Sequence, residues 1–106
     1  MSNSEENKKM AVLLAAKLLK SASTDQLGAD NKNDFYAGLF WAGTPKVMKF
    51  EHGEYGTIII TILKRNVGAE GSYLFKVESQ AVNGILIEDA DIVDKLIGVI
   101  DSRFGQ

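Results

Sequence analysis

The chain has 106 residues, a formal net charge of −2 and no cysteine. Its 45% apolar and 25% charged content is that of an ordinary globular domain, which excludes disordered, collagen-like and disulfide-built classes. One domain over 1–106 follows from the length, and roughly 65% of the chain's surface should be buried on folding, enough for one core without staples.

Residues 1–7 are polar and are expected to fray. Ser2 with Glu5 has capping-box spacing, and Ser4 is a second candidate cap. A helix is predicted from there to about Ser21. Ala11, Leu14, Ala15, Leu18, Leu19 and Ala22 form a broad apolar arc, extended by Val12, with Leu13 off it. A helix this apolar calls for burial on more than one side. Lys8 and Lys9 before the run Met10–Leu19 give it a superficial likeness to a signal peptide. Lys17 interrupts that run and Glu5-Glu6 precedes it, so a helix of a globular domain is the reading adopted. No stretch approaches the ~20 apolar residues of a membrane span, and a cytoplasmic protein away from membranes is expected.

Residues 23–31, with Ser23, Thr24, Gly28, Asp30 and Asn31, read as a connector. A second helix is predicted from Asn31 to Ala42. Phe35, Leu39 and Ala42 share one stripe, with Tyr36 and Phe40 on the neighbouring one, and Gly43 followed by Thr44-Pro45 stops it. Lys46–His52 alternates and reads as a strand. Thr57–Lys64, with three consecutive isoleucines, reads as a central one. Asn66 to Gly71 is a glycine-bearing hairpin loop, and Ser72–Ser79 alternates again. Asn83-Gly84 is a hairpin signal before a short fourth strand, Ile85–Ile87. A last helix runs from about Asp89, its N-cap, to Arg103. Ile92, Val93, Leu96, Ile97, Ile100 and Phe104 form its apolar stripe, and Asp91 and Lys95 lie on the wet side. The class is therefore α+β: an antiparallel meander of three main strands and a short fourth, in the order α-α-β-β-β-β-α, with helices packed on one face.

Few residues suggest chemistry. His52 is the only histidine, so no multi-histidine metal site can form, and its place at a turn reads as solvent-exposed. Glu88, Asp89, Asp91 and Asp94 crowd together, but Val93 and Asp94 stand where a calcium loop needs an oxygen ligand and a glycine. Acidic residues at a helix start are explained by capping and the helix dipole. Gly68-Ala69-Glu70-Gly71 joins two strands and carries an acid that would repel phosphate, so it reads as a turn. Gly38 and Gly43 have loop-like spacing, but Thr44-Pro45 replaces the lysine and hydroxyl of a phosphate loop. Neither metal, nor cofactor, nor catalytic residue is expected. Basic residues number 12 and acidic residues 14, without the excess on which phosphate binding rests, so nucleic acid is not an expected partner.

Two surfaces carry more apolar area than a core needs. Phe35, Tyr36, Phe40 and Trp41 are spread round nearly the whole second helix, so they cannot all enter one layer. Tyr36, Phe40 and Trp41 are the candidates for partner or ligand contact. On the sheet, the face turned from the helices should show Val47, Ile59, Leu63 and Leu74 ringed by Lys49, Glu51, Thr57, Thr61, Lys76 and Glu78. An apolar centre in a polar rim marks an association surface, unless the first helix folds over it. The expectation is a small non-enzymatic interaction protein, an adaptor, regulator or inhibitor that docks on protein partners and forms a homodimer. The alternative is a small-molecule binder or enzyme with a pocket lined by Tyr36, Trp41, Tyr73 and Phe75.

Overall fold

A computed structural model describes residues 3–65, 73–80 and 83–105. Its elements are α1 (Asn3–Lys20), α2 (Thr24–Leu27), α3 (Lys32–Ala37) continuing into a π-helical turn (Gly38–Ala42), β1 (Lys46–His52), β2 (Gly56–Lys64), β3 (Tyr73–Glu78), β4 (Ile85–Ile87) and α4 (Ala90–Phe104). With α2, α3 and the π turn taken as one helical stretch, this is the α+β order α-α-β-β-β-β-α.

Helix α1 starts at Asn3, so Ser4 lies inside it rather than capping it; Ser2 lies outside the described residues. Ala11, Ala15 and Leu19, four apart, form its buried line, with Val12, Leu14, Ala16 and Leu18 half-buried beside them. Leu13 points away and is 72% exposed. Helix α1 packs against α4 and β4, and its buried residues join the single core. It therefore lies on the helical side of the sheet and does not fold over the other face.

The stretch 23–31, read as a connector, contains a helical turn. Ser23 Oγ accepts from the Gln26 N–H at 3.1 Å, and Gln26 Oε1 accepts from the Ser23 N–H at 2.9 Å. This reciprocal cap holds four residues helical and buries Leu27. Gly28 ends the turn at φ +72°, and a Cβ there would meet Lys46 Nζ at 2.9 Å.

The second predicted helix is not α-helical to its end. Asn31 caps it, Oδ1 accepting from the Asp34 N–H at 2.8 Å. At Gly38 the winding widens to a π turn, closed by the N–H of Gly43 (φ +68°) donating to the Gly38 carbonyl. Phe35 and Leu39 stay buried, but the wider turn rotates Ala42 off their stripe and leaves it exposed.

The sheet is an antiparallel meander in the order β1-β2-β3-β4. Met48 pairs with Ile60, Ile60 with Val77, and Val77 with Ile85, fixing one register across all strands. Met48, Phe50, Ile58, Ile60, Ile62, Phe75, Val77 and Ile87 are buried on the helical side. The hairpin loop expected at 66–71 lies outside the described residues. Asn83-Gly84 is not the centre of a tight hairpin: β3 ends at Glu78, and Gly84, at φ +51°, closes the longer connection just before β4. Helix α4 is capped by Asp89, whose Oδ1 accepts from the N–H groups of Asp91 and Ile92 at 3.0 and 3.2 Å. It lays Val93, Leu96 and Ile100 into the core, with Ile92, Ile97 and Phe104 half-buried at the margin.

Candidate interaction surfaces

The strand register sorts the outer-face residues into rows. Lys49, Ile59 and Glu78 stand side by side across β1, β2 and β3. The next row is Val47, Thr61, Lys76 and Leu86, across all four strands. Leu63 and Leu74 pair in the row beyond, and Glu51 and Thr57 pair at the opposite end. The structure thus places Val47, Ile59, Leu63 and Leu74 together on one surface. It adds Leu86, which the alternation Ile85-Leu86-Ile87 turns outward.

None of these five residues packs on the core. Val47 is 60% exposed and Leu86 44%, while Ile59, Leu63 and Leu74 are half-covered among their strand neighbours. Among the described residues, every helix contributes to the core on the other side of the sheet. The charged residues of this face, Lys49, Glu51, Lys76 and Glu78, carry both signs, and Lys76 stands among the aliphatic ones, between Thr61 and Leu86. Lys76 Nζ lies 3.9 Å from Glu78 Oε2, and Glu51 accepts from the Thr57 hydroxyl at 3.0 Å. Lys49 has no ion-pair partner among the described residues.

The second surface is the aromatic end of the sheet. Tyr36, Phe40 and Trp41 all border one shallow hollow but differ in exposure. Tyr36 is half-buried and donates to Asp101 Oδ1 at 2.9 Å. Phe40 lies against Lys64, and Trp41 stands 73% exposed, edge-on to Phe40 at 4.8 Å between centroids. Lys64 ends the inner face of β2 with its ammonium 5.1 Å from the Phe40 centroid and 4.7 Å from that of Tyr73. Lys46 ends β1 likewise, 5.0 Å from the centroid of Phe35. The lysine stems extend the apolar face and the charges rest on ring faces, a favourable way to end a buried surface. Burial pushes the Tyr36 hydroxyl well above the usual tyrosine range, and its hydrogen bond to Asp101 adds to the shift. Tyr73 is raised by burial first and by the charge of Asp101 second.

Lys64 and Asp101 were not legible as members of this cluster; Asp101 lies 65 residues from Tyr36 in the chain. Of the four residues expected to line a ligand pocket, Tyr36 and Trp41 border one shallow hollow, whereas Tyr73 and Phe75 do not line it. Phe75 is fully buried, Tyr36 and Tyr73 lean on each other at 6.2 Å, and Trp41 projects outward. A shallow hollow beside Trp41 is lined by Lys32, Asp34, Tyr36 and Phe40.

His52 is half-buried rather than exposed. Its Nδ1 accepts from the N–H groups of Glu54 and Tyr55 at 3.1 and 3.3 Å, and its ring lies 5.0 Å from that of Tyr55. The imidazole thus shapes the β1–β2 turn. In the acidic run, Asp89 caps α4 and Glu88 pairs with Arg65 at 2.8 Å. No described helix is long and apolar enough to cross a membrane. No family model, curated protein or solved structure matches the chain.

Proposed function

We propose that this chain is a small non-enzymatic interaction protein of the cytoplasm, an adaptor, regulator or inhibitor, that docks on proteins through the outer face of its sheet. A second copy of itself is the first partner. The observation that carries this reading is the face itself: five aliphatic side chains, none packed on the core, interleaved with charged residues of both signs. Exposed aliphatic side chains gathered on one face of a small domain favour association. The division of the aromatic residues between core and surface supports docking over a ligand pocket.

Sedimentation across a micromolar dilution series tests it, with Ile59→Lys as the variant. The expected result is a dimer that Ile59→Lys dissociates without changing the thermal melt of the monomer, because Ile59 makes no core contact. One chain mass at every concentration, or a dimer indifferent to Ile59→Lys, would overturn it.

A further inference from the structure

We infer that two copies pack outer face to outer face about a two-fold axis running along β2, so that Lys49 of each copy meets Glu78 of the other. This rests on the docking reading above and specifies its geometry. A two-fold axis lying in such an interface sets each point of the face opposite its mirror position across the axis. With the axis on β2, Ile59, Thr61 and Leu63 meet their own counterparts, and β1 lies over β3 of the other copy. Lys49 and Glu78 flank Ile59 in one row, one on each side. They therefore come together twice, with opposite sign, at symmetric places. Val47 meets the stem of Lys76.

Other axes fit worse. Shifting the axis midway between β2 and β3 brings Val47 onto Leu86 and Leu63 onto Leu74, but sets the Glu78 carboxylate on Ile59. An axis across the strands through Thr61 stacks Lys76 on Lys76. The axis along β2 is the one of these that brings opposite charges together, while Ile59 and Leu63 meet their own counterparts. Tilting it by about 15° gives the crossing of about −30° usual for stacked twisted sheets. Lys49, which has no ion-pair partner among the described residues, gains one, and Glu78 sits between Lys76 and the incoming lysine. With the axis on β2 the strands β1, β2 and β3 overlap, and at about 4.8 Å apart and six to nine residues long they give a footprint of roughly 330 Å² per copy before side-chain relief. The two copies together thus bury roughly 700 Å², below the standard size for specific interfaces, which makes the association weak and concentration-dependent.

The test uses Lys49→Glu and Glu78→Lys, separately and mixed, read by sedimentation. Each variant alone puts two like-charge contacts into its homodimer and should weaken it by about tenfold or more. Mixing the two variants restores both opposite-charge contacts in a heterodimer, so the mixture should associate as the unmodified chain does. Rescue by mixing cannot arise within one chain. Variants that associate normally alone, or a mixture no tighter than its components, would overturn this axis while leaving an Ile59-dependent dimer intact. An unmodified chain that stays monomeric overturns the dimer itself.

Discussion

Tyr36 ties the stability of the fold to alkaline pH. Its hydroxyl donates to Asp101 from a half-buried position, and burial followed by that hydrogen bond favours the neutral form. In the unfolded chain the same hydroxyl ionises near about pH 10. The stabilisation from neutral Tyr36 is thus complete below about pH 10 and declines as pH rises further, because unfolding then releases a proton. Tyr73 shifts in the same direction and adds to the slope. Tyr36→Phe should cost about 1 kcal/mol at neutral pH through the lost hydrogen bond. It should also make the alkaline loss of stability shallower, as followed by thermal melts from about pH 8 to 11. A parallel alkaline slope in both proteins would remove Tyr36 from this role. None of this could be read from the chain, because nothing local links residues 36 and 101.

At the level of elements, strands were the most legible part. Alternation locates β1 at Lys46–His52 with its faces as found, whereas β4 at Ile85–Ile87 follows from the turn signal before it. A period of two leaves little freedom once one side is buried. Helical periodicity served α1 and α4 and failed at two places. The four residues of α2 are too few to show a period, although Ser23 and Gln26 carry the spacing of a reciprocal cap. The π turn follows from how Gly43 closes back on Gly38, which side-chain spacing does not reveal. Caps could be read where one side chain decides the matter, as at Asp89. Asp89→Ala removes the acceptor for two N–H groups at the start of α4 and should cost about 1 kcal/mol in denaturant unfolding. Asp89→Asn, which keeps the acceptor, should lose much less.

For the whole molecule, composition and pattern were enough for a one-sided α+β meander with an apolar outer face. Which side α1 would take was open, since its broad arc suits either. The pairing of α1 with α4 decides it, reinforced where Arg103 Nε donates to the Ala22 carbonyl. Leu96, fully buried at the centre of α4, should cost about 2–5 kcal/mol when replaced by alanine. A loss under about 0.5 kcal/mol in denaturant unfolding would mean that α4 does not dock as described. That docking also has a kinetic side. The strands are joined in sequence order and can zip from neighbour to neighbour, whereas Arg103 and Ala22 are 81 residues apart. Closing so long a loop is entropically costly, so contacts that depend on it form late. The meander should then assemble first, with the two helices meeting after the rate-limiting barrier. Destabilisation at Leu96 would accordingly shorten the lifetime of the native state and leave the refolding rate nearly unchanged.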